Sequence, residues 1–344
     1  MASYRFIQLD VFTDRALCGN PLAVFPEAEG LTDEEMHKIA REMNLSETVF
    51  VLMRQENGAQ NAAQSSAELE VGANSNRTSD RASKDAPNTR VLRRLRIFTP
   101  TREIPFAGHP IVGTWNALAR EGVVPLPENG NGWTRIYHEV GIGILPVDIE
   151  FEDGQPVQVV MTQGKPVMGA VMEDSHEQAD VARALGLAQE DLHESLPIQV
   201  MSTGLPFLLV PVRSLADLRS CRVNSALLAE VYNRAAATGC YAFARETIEV
   251  GAARAHARLF APDDNIPEDP ATGSAAGALG AYLVYYGAAN VERLDGKYSF
   301  VIEQGDFINR PSRINIEVEG AAGAVDQVRV GGPSVLVMRG ELVL

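Results

Sequence analysis

Cysteine, histidine, positive charge and long apolar runs are all scarce in this 344-residue chain, and each shortage removes a class of function. Only Cys18, Cys221 and Cys240 occur, with no CxxC pair, so neither a structural zinc site nor a disulfide framework is expected. The six histidines are scattered and form no HExxH, which argues against a metal centre. No stretch is apolar enough to span a membrane, and the opening Met1-Ala2-Ser3-Tyr4-Arg5-Phe6 reads as a strand rather than a signal peptide. A cytoplasmic location is therefore expected. Thirty Lys and Arg against 45 Asp and Glu give a formal net charge of −15, which disfavours nucleic acid and anionic membrane as partners. Nucleotide cradles are missing too: there is no GxGxxG after the first strand and no GxxxxGK[ST], and neither Ser46 nor Ser274 sits in a GxSxG elbow.

What is present is a near-repeat. Arg96-Ile97-Phe98-Thr99-Pro100, Ile104-Pro105 and Ala107-Gly108-His109-Pro110 lead into a helix-like run. Arg258-Leu259-Phe260-Ala261-Pro262, Ile266-Pro267 and Asp269-Pro270-Ala271-Thr272-Gly273-Ser274 lead into another, with about three extra residues after Ile-Pro. Two copies at this distance imply two similar lobes rather than a solenoid. Each lobe offers a polar cluster at the start of a small-residue helix, and two such clusters facing each other would make one site.

The remaining pattern fits an α+β protein, with strands wrapped around one buried helix per lobe. Thr32-Asp33-Glu34-Glu35 is a capping box opening a helix to about Met43. Helices are also expected over Pro110–Arg120, over Ser175–Leu185 before Gly186, and over the Ala- and Gly-rich Ser274–Tyr286. Residues 55–89 carry almost no large apolar side chain and read as a mobile insertion. Pro125–Gly132 reads as a linker. The expected division is therefore a first lobe of residues 1–124 plus about 330–344, and a second lobe of residues 133–329.

Three groups stand out chemically. Glu47 precedes Thr48-Val49-Phe50-Val51, where desolvation would raise its pKa toward the range useful for proton transfer; the plainer reading is an exposed strand-end carboxylate. His109 follows Gly108 at a helix start, suited to donate to a developing enolate or to cap the helix. Asp269 is its counterpart, with Thr272, Gly273 and Ser274 placed to hold a substrate carboxylate or simply to cap. Gln304-Gly305 and Asn309-Arg310-Pro311-Ser312 offer a guanidinium and amides for an anion, or a plain strand–turn–strand. Gly19-Asn20-Pro21 is most simply a turn.

Taken together, Asp10-Val11-Phe12-Thr13, Gly19-Asn20-Pro21-Leu22-Ala23-Val24, Ser46-Glu47-Thr48, Pro105-Phe106-Ala107-Gly108-His109-Pro110, Glu268-Asp269-Pro270-Ala271-Thr272-Gly273-Ser274-Ala275 and Gln304-Gly305 resemble the PhzF-like isomerase family of phenazine biosynthesis. The resemblance implies the diaminopimelate epimerase-like fold: two pseudo-symmetric lobes, each a β-barrel-like sheet around a central helix. It also implies a homodimer, no metal or organic cofactor, and isomerisation of a small carboxylate-bearing substrate such as trans-2,3-dihydro-3-hydroxyanthranilate. By the same resemblance Glu47, His109 and Asp269 are catalytic, and Asn20, Gly108, Gly273 and Ser274 bind substrate. Related epimerases use one cysteine at each helix start; the matching positions here are Ala107 and Thr272, which argues against a two-thiol epimerase.

Overall fold

A computed structural model of the chain describes residues 2–54, 91–249, 251 and 253–344. The expected insertion at 55–89 lies outside the described residues. The chain begins with β1 (Ser3–Val11), β2 (Asn20–Phe25), α1 (Asp33–Met43), β3 (Glu47–Leu52), β4 (Val91–Phe98), β5 (Glu103–Ile104), α2 (Gly108–Arg120), β6 (Gly132–Val140), β7 (Gly143–Glu152) and β8 (Gln155–Thr162). It continues with β9 (Val167–Val171), α3 (Ser175–Leu185), β10 (Gln199–Ser202), β11 (Pro206–Pro211), α4 (Leu215–Ser220), α5 (Ser225–Arg234), β12 (Cys240–Ala244), β13 (Ala253–Ala261) and β14 (Ile266–Asp269). The last elements are α6 (Gly273–Tyr285), β15 (Arg293–Leu294), β16 (Lys297–Gln304), β17 (Ser312–Ala321), β18 (Ala324–Gly332) and β19 (Ser334–Val343).

Strand pairing shows the duplication directly. In the first half β1–β2 is antiparallel, β2–β3 parallel, β3–β4 antiparallel and β4–β6 parallel, followed by antiparallel β6–β7 and β7–β8. In the second half β10–β11, β11–β12, β12–β13, β13–β16, β16–β17 and β17–β18 repeat that order and sense. β19 flanks β1 as β9 flanks β10, and β8 pairs with β18 to join the halves. Since β6 pairs with β4 and β8 packs on α2, we propose that the lobes divide after β8 rather than at the Pro125–Gly132 stretch.

The strands of each half curl around one central helix, α2 or α6, whose side chains are buried almost end to end. A helix inside a sheet needs close approach on every side, and glycine supplies it. A β-carbon on Gly113 would lie 2.6 Å from side-chain carbons of both Val11 and Leu22, and one on Gly280 would lie 2.5 Å from Ile316. Overpacking of that kind costs about 1–3 kcal/mol. The other helices lie outside the sheets. α1 is held by the expected Thr32–Glu35 capping box and covers Phe25, Phe50 and Phe98. α3 and α5 cover Leu208, Val210 and Phe260. Among the described residues, no helix is long and apolar enough to cross a membrane.

Candidate active site

The repeat brings the starts of the two central helices together. A β-carbon on Gly108 would sit 3.4 Å from the Ser274 amide nitrogen and 3.5 Å from the Gly273 α-carbon. Neither N-cap residue, Ala107 nor Thr272, caps its helix with a side chain, and neither first turn carries an acid. Two sets of helix N–H groups, with the positive ends of two dipoles, thus converge without a side-chain anion among their caps. Helix starts arranged in this way are suited to hold an anion such as a carboxylate.

A cavity of about 230 Å³ opens at this junction. Glu47, Gly108, His109, Asp269, Thr272, Gly273 and Ser274 line its polar end. Ile104, Phe106, Leu205, Phe207, Leu259 and Ile266 form apolar walls, and Arg102 and Asp264 also line it.

Glu47 is the first residue of β3, and parallel pairing with β2 sets it opposite Leu22, two residues from Asn20. Its Oε2 is buried with no hydrogen-bond partner among the described residues and lies 3.4 Å from His109 Nε2. Burial holds the carboxyl well above its usual range, and the negative charges of Asp269 and then Asp264 push the same way. Burial also drives the His109 imidazole down to about 3, so it is neutral at physiological pH. Its Nδ1 faces the Asn20 amide nitrogen at 3.5 Å, a group that cannot accept a hydrogen bond, so the imidazole hydrogen belongs on Nε2, toward Glu47.

Asp269 ends β14. Its Oδ1 accepts from Asn20 Nδ2 at 3.0 Å and Ser46 Oγ at 3.3 Å, and its Oδ2 from Thr272 Oγ1 at 2.5 Å. Burial raises its pKa to about 6, against the lowering effect of these hydrogen bonds. Thr272 therefore serves Asp269 rather than capping α6. Behind it, Gln304 donates to the Asp269 carbonyl at 2.8 Å and to Thr272 Oγ1 at 3.1 Å, and accepts from the Thr272 amide at 3.1 Å and Tyr241 OH at 2.8 Å.

Glu47, His109, Asp269, Gly108, Gly273 and Ser274 all come together here. Asn20 does not line the cavity. It is fully buried behind the wall, with its amide protons committed to Asp269 and to the Ala271 carbonyl at 2.8 Å. Arg310, read as a cation for an anionic ligand, is also elsewhere. It donates to Asp10 Oδ1 at 2.6 Å and to the carbonyls of Gly19 and Cys18, tying the two lobes together. A buried carboxylate 300 residues away claims it, a partner that local sequence does not reveal. The Arg102–Asp264 pair escaped the sequence reading, although the two occupy equivalent places in the repeat, two residues after Pro100 and Pro262.

A family model described as phenazine biosynthesis-like protein matches residues 9–66 and 82–340. An uncharacterized isomerase of Clostridium acetobutylicum is 35% identical over 341 residues, covering 99% of this chain and 98% of the relative. The trans-2,3-dihydro-3-hydroxyanthranilate isomerase of Pseudomonas aeruginosa is 32% identical, covering 99% of this chain and all of the relative. The crystal structure of a Bacillus anthracis phenazine biosynthesis protein of the PhzF family superposes with a TM-score of 0.78 at 27% identity, with both chains fully covered.

Proposed function

The chain belongs to the phenazine biosynthesis-like protein family and is an isomerase, and from that premise we propose that it moves a carbon-bound proton on a small carboxylate-bearing substrate without a cofactor. The observation that carries this reading is the desolvated Glu47 carboxyl, 3.4 Å from a neutral imidazole, beside two converging helix starts. The substrate carboxylate sits on the Gly273 and Ser274 amides. Its ring lies between the apolar walls, within reach of Glu47.

Glu47 is the proton carrier. A carboxyl whose pKa is raised by burial is a stronger base once ionised. With trans-2,3-dihydro-3-hydroxyanthranilate, Glu47 takes the proton from C3. The electron pair of that C–H bond enters the ring diene and emerges at C1, where Glu47 returns the proton. The enol left at C3 then tautomerises to the ketone. His109 donates from Nε2 to the charge that develops, and stays neutral throughout. Asp269, braced from both lobes, fixes the helix start that holds the substrate. Ala107 and Thr272 at the two N-caps bear no thiol, which favours this one-carboxylate route over a two-thiol epimerase. A cytoplasmic homodimer is part of the same proposal.

The test is turnover of trans-2,3-dihydro-3-hydroxyanthranilate by wild type and by Glu47→Gln, with circular dichroism as the folding control. A loss of about 10²–10⁴ in kcat with an unchanged fold is expected. Equal turnover by both would remove Glu47 from the mechanism.

A further inference from the structure

Among the described residues lining the cavity, Arg102 is the only cationic side chain, and no step above uses it. It stands on the loop between β4 and β5 of the first lobe. Its Nη2 donates to Asp264 Oδ1 of the second lobe at 2.8 Å, so the pair crosses from lobe to lobe. The side chains are 60% and 30% exposed, which puts them at the solvent end of the cavity. A guanidinium carries five N–H donors, and Asp264 is the hydrogen-bond partner of the Arg102 guanidinium among the described residues.

The cavity therefore has two electropositive poles separated by apolar walls. One is the pair of helix starts, buried and fixed. The other is Arg102 at the mouth, where Asp264 holds the place of an exchangeable anion. An ion pair this exposed is weak and exchanges readily. On a chain of net charge −15, a cation at the entrance is also what lets an anionic substrate approach.

We propose that Arg102 is a specificity-determining residue that receives a second anionic group, so that the preferred substrates carry a carboxylate at the helix starts, an apolar middle and a further carboxylate or similar anion at the mouth. Asp264 is the internal stand-in for that second group and is displaced from the guanidinium when substrate binds. This inference rests on the proposed site for the first carboxylate and narrows its substrate class, so that trans-2,3-dihydro-3-hydroxyanthranilate, with its single carboxylate, probes the Glu47 chemistry and is not the preferred substrate.

Rigid aromatic acids test it by titration calorimetry: benzoate with one carboxylate, isophthalate and terephthalate with two. At least one dicarboxylate should bind wild type about tenfold more tightly than benzoate, the scale of a charge-assisted pair. Arg102→Gln should bring that ratio close to one. Arg102→Lys, which keeps the charge but not the planar fork, should leave an intermediate ratio. Asp264→Asn should raise it by freeing the guanidinium. The ratio is an internal control, because a general loss of folding weakens all three ligands alike. A wild-type ratio at or below one, or a ratio unchanged in Arg102→Gln, overturns the assignment. If that happens while wild type still turns substrate over through Glu47, only the role of Arg102 fails. If no carboxylate binds at all, the pocket at the helix starts fails and takes this inference with it.

Discussion

Replacing Asp269 by asparagine should change how stability depends on pH, and the size of the change follows from its surroundings. The carboxyl is only 5% exposed, and burial raises its pKa from 3.8 to about 6. A raised carboxyl pKa means that the fold favours the protonated form. Its stabilising contribution is complete below pH about 4 and is lost as pH rises through about 6. A shift of roughly two pKa units corresponds to about 3 kcal/mol, of which about 2 kcal/mol is lost between pH 4 and pH 7. The side-chain amide of the Asp269→Asn variant cannot titrate, so the variant lacks this decline. Glu47 adds to the difference with the same sign, because the Asp269 charge is one cause of its raised pKa. His109, whose depressed pKa makes it lose stability toward acid, cancels when variant is subtracted from wild type. The assay is urea unfolding of both proteins at pH 4, 5, 6 and 7. The stability of Asp269→Asn relative to wild type should climb by about 2 kcal/mol across the series. Parallel curves would refute the claim that a buried, ionising carboxylate sits at this position.

Three further outcomes follow from the same geometry. The His109 imidazole should show no NMR titration between pH 5 and pH 8, since burial holds its pKa at about 3; a midpoint near 6.5 would contradict its neutral role. Arg310→Met should destabilise the fold by about 3–5 kcal/mol, because Asp10, itself 1% exposed, would be left as an unpaired buried charge; urea midpoints measure this, and a loss below about 1 kcal/mol would show that the pair does not clasp the lobes. Gly305→Ala should cost about 1–3 kcal/mol and also slow turnover. Its φ of +83° is a left-handed conformation, and the added β-carbon would press on the carbonyls of Arg310 and of Pro270, the neighbour of Asp269. Thermal unfolding and kcat read the two effects, and an unperturbed variant would count against the tight bend behind Asp269.

Local chemistry explains what is legible in the sequence. The Thr32–Glu35 box and Gly186 bound α1 and α3 because caps are set by residues within one turn. The Ala and Gly run of α6 announces a helix buried on all sides, and the repeat announces two such helices with facing polar starts. Two helices that the sequence reading lacks have equally local signals. Asn224 caps α5 through the Leu227 amide, and Ser214 caps α4 through the Asp217 amide. Long-range partners are out of reach of such signals. Arg310 reads as available because Asp10 is distant in sequence, and Asn20 reads as a plain turn residue until Asp269 folds against it. Strands β6–β8 read as following a linker into the second lobe, whereas β6 pairs with β4 in a crossover that no local pattern encodes. Arg102 and Asp264 stand in register within the repeat, and comparing the copies residue by residue would have paired them.

The most direct test of the account is proton NMR of trans-2,3-dihydro-3-hydroxyanthranilate in D₂O with purified wild type and Glu47→Gln. Loss of the C3 proton signal and formation of the ketone with wild type alone would establish proton movement through Glu47. Equal conversion by Glu47→Gln would contradict it.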